Sequence, residues 1–184
     1  YYTYEFTSYI LKTNLVLPVN STEPGENNNF AINAVNVNIN DSTNGHIGYY
    51  YNGYDDLIDW YKVTPSEDGR IIFKINSLNG QNVYAELFDG DTLTGLSGNF
   101  TSSSATYFRD GVAAGTYYIR IKNYYNYEFS PYALVVTHQP TVPDDPELNN
   151  TFGTAIPIQP GDSVTGHIGY AYNGYDDFND WYAV

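Results

Sequence analysis

TYYIRIK, residues 116–122, sets Tyr117, Ile119 and Ile121 on one side of an extended chain and Tyr118, Arg120 and Lys122 on the other. Successive side chains leave a pleated backbone on opposite faces, so this two-residue period marks a half-buried antiparallel strand. The same beat continues to either side. VYAELF (83–88) groups Val83, Ala85 and Leu87, RIIFKI (70–75) groups Ile71, Phe73 and Ile75, and AVNVNI (34–39) opposes Val35, Val37 and Ile39 to asparagines. Further strands are expected at 45–50, 59–64, 105–109 and 132–137. Turn-forming stretches separate them: SEDG (66–69), LNGQ (78–81), FDGD (88–91) and AAG (113–115). No segment longer than ten residues carries a helical apolar stripe. The pattern predicts an all-β, antiparallel two-sheet β-sandwich of jelly-roll type.

The chain also repeats itself. GHIGYYYNGYDDLIDWYKV (45–63) returns as GHIGYAYNGYDDFNDWYAV (166–184), with 15 of 19 positions identical. The match extends without a gap from Glu26–Val63 to Glu147–Val184, at 21 of 38 positions and an offset of 121. A weaker echo joins residues 1–14 to 124–137, at seven of 14 positions and an offset of 123. Fixed-period similarity of this kind signals tandem units. The expected organisation is a last strand of a preceding repeat at 1–17, a linker at 18–25 and a complete sandwich at 26–137. A second linker at 138–146 then leads to the first part of a following repeat at 147–184. With no initial methionine, the sequence reads as a window of about one and a half repeats from a longer array. Proline in both linkers favours extended, fairly stiff joints. Phe6, Tyr9 and Leu11 on the first strand and Trp181 on the last are expected to pair with adjacent repeats or another chain.

Composition narrows the function. Seven Lys+Arg against 21 Asp+Glu give a net charge of −14, which repels phosphate backbones and anionic headgroups, so nucleic acid is not an expected partner. There is no cysteine, hence no disulfide framework, thiolate zinc site or thiol nucleophile. Apolar runs are a few residues long, so no membrane insertion is expected in this window. No Ser/His/Asp set, G-x-S-x-G elbow or phosphate loop is present, and Ser102, Ser103 and Ser104 read as a flexible polar loop. No enzymatic activity is expected. His46 and His167 occupy one repeat position, where a structural hydrogen bond is expected in place of a metal site.

One succession of residues resembles the bacterial pre-peptidase C-terminal (PPC) domain. It runs through Glu26-Asn27-Asn28-Asn29 with Ala34, Gly45–Gly48, Asp55–Asp59, Trp60-Tyr61, Ala114–Ile121 and Tyr132–Val136, and its first part recurs from Glu147 to Tyr182. The resemblance implies a secreted β-sandwich module, of a kind appended to extracellular enzymes and surface proteins. Some members bind calcium where the N-terminal linker meets the Asp turn, and some bind matrix polymers. This chain departs from the pattern in two places. The usual Asp-x-Asp is stretched to Asp56-Leu57-Ile58-Asp59, and the acidic residue two before Glu26 is Pro24, against Asp145 in the second copy.

Calcium takes six to eight hard oxygen ligands from carboxylates, amides and backbone carbonyls on irregular loops. Glu26, Asn28, Asn29, Asp56 and Asp59 offer that chemistry, as do Glu147, Asn149, Asn150, Asp177 and Asp180. Ca2+ is therefore the expected cofactor, although Asp and Asn also favour turns for their own sake. Trp60 and Trp181 are expected as core anchors. Tyr50 and Tyr54, with Tyr124 and Tyr125, are expected as contacts between units or chains, ahead of glycan platforms. Sequons place candidate glycosylation at Asn20, Asn40, Asn99 and Asn149, the last in competition with its calcium role.

These features together predict a secreted or cell-surface structural protein. Tandem β-sandwich repeats would build a fibre or stalk with calcium-stiffened joints, and neighbouring copies would be the partners. An accessory carbohydrate- or matrix-binding module of a secreted hydrolase or adhesin is the alternative.

Overall fold

The computed structural model describes residues 11, 27–51, 54–92, 94–125, 128–141, 149–166, 168–172 and 175–184. Eleven strands come first: β1 (Val35–Asn36), β2 (Asp41–Ile47), β3 (Tyr49–Tyr51), β4 (Tyr54–Asp56), β5 (Ile58–Val63), β6 (Gly69–Ser77), β7 (Val83–Phe88), β8 (Gly95–Thr101), β9 (Ser104–Val112), β10 (Tyr117–Asn123) and β11 (Ser130–Pro140). The second copy adds β12 (Ile156–Pro157), β13 (Tyr170–Tyr172), β14 (Tyr175–Asp177) and β15 (Tyr182–Ala183). Short 3-10 turns at Ala31–Asn33 and Phe152–Thr154 are the helical elements among the described residues, and none is long and apolar enough to cross a membrane.

Two sheets face each other. One runs β1-β5-β10-β7-β8, and the other runs β2-β11-β6-β9 and continues into β13 and β14. From β5 to β11 every connection except the β7–β8 hairpin crosses from one sheet to the other. That is the strand order of a jelly roll, as the sequence pattern predicts.

Alternation along each strand supplies the filling. Ile71, Phe73 and Ile75 of β6, Leu134 and Val136 of β11, Ile119 and Ile121 of β10, and Val83, Ala85 and Leu87 of β7 are all fully buried in one cluster. Register aligns them: Leu134 lies opposite Ile75, and Ile119 lies between Leu87 and Tyr61. Each such side chain contributes roughly 1.5–3 kcal/mol by leaving water. Tyr117 closes one end, its hydroxyl donating to Ala113 O at 3.0 Å. Burial, reinforced by nearby Asp89, pushes its pKa well above the usual tyrosine value.

Four expectations need correction. β8 falls where no strand is expected, because Gly95 and Gly98 and an exposed edge position erase its alternation. Ser102–Ser104 is no loose loop: Ser103 N–H meets Thr101 Oγ1 at 3.2 Å, Ser103 O accepts from Ser77 N at 2.6 Å, and β9 begins at Ser104. AVNVNI pairs only at Val35 and Asn36, since Asn40, at φ 66°, turns the chain into β2. β11 runs on through His138–Pro140, pairing with Gly69–Ile71 where a linker is expected. Phe6, Tyr9 and the rest of residues 1–17 lie outside the described residues, apart from Leu11, which is exposed.

Candidate functional site

The asparagine run and the Asp turn meet at one corner of the sandwich. Trp60 N donates to Asn28 O at 2.9 Å, which pins the run against the start of β5. Just beyond, Val35 pairs with Tyr61 in parallel. Asp56 arrives from the other side on the β3–β4 hairpin, whose base is closed by Gly48 N donating to Asp56 O at 2.5 Å. Gly48 holds φ 77° there, and a side chain at this position would collide with the Glu128 carbonyl.

Between the two arms lies Asn29. One terminal atom of its amide is 2.9 Å from Asp56 Oδ1 and 2.7 Å from Ile58 O. With nitrogen turned to them, the amide donates to both.

The second copy rebuilds this corner. Trp181 N donates to Asn149 O at 3.0 Å, and Gly169 N donates to Asp177 O at 2.5 Å. The Asn150 amide faces Asp177 Oδ1 and Asn179 O, the latter at 3.0 Å. Asn28 and Asn149 are both buried.

Asp59 goes elsewhere. It shares the inner face of β5 with Tyr61, is fully buried, and accepts from the Tyr132 hydroxyl at 2.5 Å. The Tyr132 and Tyr61 hydroxyls lie 2.6 Å apart, and their packing against Gly45 leaves no room for a Cβ there. The expected ligand set is thus divided, with Asn29 and Asp56 in contact at the corner and Asp59 engaged by a core tyrosine. Glu26 and Glu147 lie outside the described residues. Among the described residues no three His, Asp or Glu side chains group closely enough to hold a metal. The donors at the corner itself are one carboxylate, one amide and a backbone carbonyl. These are hard oxygens that fit calcium in kind, and they would need Glu26, water or further carbonyls to complete a shell.

His46 is buried beside this corner, its Nδ1 3.9 Å from Asp56 Oδ2 and its ring against Tyr49 and Phe129. His167 lies outside the described residues. Trp60 is buried, but on the outer face of its sheet and apart from the inter-sheet core. It packs there on Phe88 and Tyr118 beneath the Arg120 guanidinium, which Glu86 holds by two hydrogen bonds. Trp181 is half exposed against Phe152.

Tyr50 is 67 % exposed, whereas the Tyr54 side chain is outside the description. Tyr124 and Tyr125 are exposed and stacked edge to face, and Phe100 joins Tyr124 at 4.8 Å between centroids. Sequence reasoning missed Phe100 because it lies on the unforeseen β8. Asn40 and Asn99 are exposed and open to glycan attachment. Asn149, 1 % exposed, is closed to it in this conformation. Asn20 lies outside the described residues.

No family model matches the chain, and no curated protein is similar to it. Several solved structures resemble it in fold, among them these two. The pre-peptidase C-terminal domain of collagenase from Bacillus anthracis shares 17 % identity over 56 % of this chain and 94 % of its own, with a TM-score of 0.44. PliG of Aeromonas hydrophila, a periplasmic inhibitor of g-type lysozyme, shares 15 % identity over 58 % of this chain and 97 % of its own, with a TM-score of 0.40. Likeness at this level says nothing about what the chain binds.

Proposed function

We propose that this chain is a non-enzymatic extracellular structural protein, a stretch of tandem β-sandwich units that build a fibre or surface stalk with calcium at the joints. The observation that carries the reading is the duplicated corner. Two segments separated by the period of the repeat place an asparagine amide on an aspartate and a backbone carbonyl in the same way. Each corner lies where the chain enters a unit, so an ion there would fasten the incoming segment to the sheet. Asn28, Asn29, Asp56 and Ile58 O would hold it in the first copy, and Asn149, Asn150, Asp177 and Asn179 O in the second, with Glu26 and Glu147 as the remaining carboxylates. A bound ion stabilises a fold by mass action, by about 2.7 kcal/mol at a hundredfold excess over Kd.

Thermal melting of the 184-residue chain with calcium and with chelator tests the reading. Calcium should raise the melting temperature, and Asp56→Asn combined with Asp177→Asn should remove the difference. Identical curves with and without chelator would overturn the calcium proposal.

The aromatic cluster of Phe100, Tyr124 and Tyr125 favours a second reading, an accessory module that holds carbohydrate or matrix polymer. Retention on a polysaccharide matrix, lost on Tyr125→Ala, would support it over the fibre.

A further inference from the structure

The two tyrosine hairpins meet different fates. In the first copy β3 and β4 stand as a two-stranded sheet of their own. In the second, β13 lies parallel to β9 through the pairing of Ala171 with Val112, and the hairpin extends the sheet to six strands. Without that hairpin β9 is an edge strand of nine residues, and a bare edge is a template for whatever strand comes near.

The edge is shaped at the place of contact. β6 and β9 shift register between Gly69 and Ile71, and Gly111 takes φ 59°, so this end of β9 bends out of the regular ladder. A groove of about 390 Å³ runs beside it, with Arg70, Asp110, Gln139 and Thr141 on the sandwich side and Ile168 and Gly169 on the side of the second copy. At the rim of the groove Arg70 pairs with Asp110 and stacks 4.9 Å from the exposed Phe108 ring.

We infer that the tyrosine hairpin is a clasp between units: the hairpin of each unit adds to the β9 edge of the unit before it. The inference rests on the tandem reading above and names its partner, a second copy of the same sandwich. It also assigns the hairpin at 49–56 an occupant, the β9 edge of a preceding unit. Backbone pairing supplies the attachment, as in other cases of strand addition. YYYNGYDD and YAYNGYDD differ only at the residue that meets the edge, Tyr50 against Ala171, and pairing through the backbone does not depend on that side chain.

Amide hydrogen exchange on the 184-residue chain tests this with an internal control, because the same hairpin occurs once seated and once unseated. Residues 170–172 should exchange roughly tenfold more slowly than 49–51, since opening them requires release from β9. Ala171→Pro removes a backbone donor and should erase that protection, while Val112, which also pairs with Gly69 of β6, should keep its own. Residues 71–75 and 132–136 should keep theirs. Equal exchange in the two hairpins, or protection at 170–172 that ignores Ala171→Pro, would overturn the clasp. Neither outcome touches the calcium response, so the clasp and the reading beneath it fail separately.

Discussion

Residues 28–63 and 149–184 are two copies of one motif in two surroundings, and they differ in a consistent way. What depends on neighbours in sequence forms twice. The 3-10 turn, the parallel bridge that follows it, the tyrosine hairpin and the Asn–Asp corner all recur at the same offset. What depends on distant partners forms once. Asp41–Ile47 is a strand because β11 lies beside it, whereas 162–166 has no such partner and stays irregular. Ile47 is 0 % exposed and its counterpart Ile168 is 66 % exposed. Trp60 is 8 % exposed and Trp181 44 %. The corner is therefore a locally encoded motif, and the sandwich is a cooperative one.

Paired substitutions sharpen that contrast. The largest effect is expected at Ile47→Ala, which should cost about 2–5 kcal/mol in urea unfolding by opening a cavity, against less than about 0.5 kcal/mol for Ile168→Ala. Equal losses would break the comparison. Next come the hairpin glycines, both at positive φ. Gly48→Ala should cost roughly 2–4 kcal/mol, through left-handed strain and collision with the Glu128 carbonyl. Gly169→Ala has open space around it and should leave the unfolding midpoint of the sandwich unchanged.

Tyr132→Phe should cost roughly 1–3 kcal/mol by stripping a hydroxyl from buried Asp59 and Tyr61. Chelator should still shift its melting temperature if the corner alone holds calcium. The smallest effect is a change in pH slope. Burial holds His138 below its ordinary pKa of 6.5, against the opposing pull of Glu67 and Asp68. The fold thus disfavours the charged ring. That contribution is complete above pH 6.5 and is lost as pH falls through the folded pKa. His138→Gln should flatten the acid limb of a stability–pH curve and leave the neutral plateau alone.

Alternation made the sandwich legible, because Ile71, Phe73, Ile75 and their like on β7, β10 and β11 state which face is inside. β8 was not legible, since GLSGNFT has glycine where the beat would show. The Asn29–Asp56 corner could be read because both halves sit in one duplicated motif. The Asp59–Tyr132 bond could not, because its partners are 73 residues apart and only sheet pairing brings them together. Trp60 shows a third limit. Its burial follows from its size, but the choice between inner and outer face follows from strand register, which places Asp59 and Tyr61 inward.

The jelly-roll order has a kinetic consequence. β2 completes its ladder only after Ser130–Pro140 is available, so a growing chain holds an unzipped GHIG segment while much of the unit is still to come. The second GHIG, at 166–169, is a competitor for the same partner strand. Long-range pairing folds slowly, and similar neighbours invite exchange of strands between them. The two copies differ just before GHIG, where Thr43 and Asn44 pair with Leu134 and Ala133 of β11 and Val164 and Thr165 stand in the second copy, so the two segments do not offer that strand the same side chains.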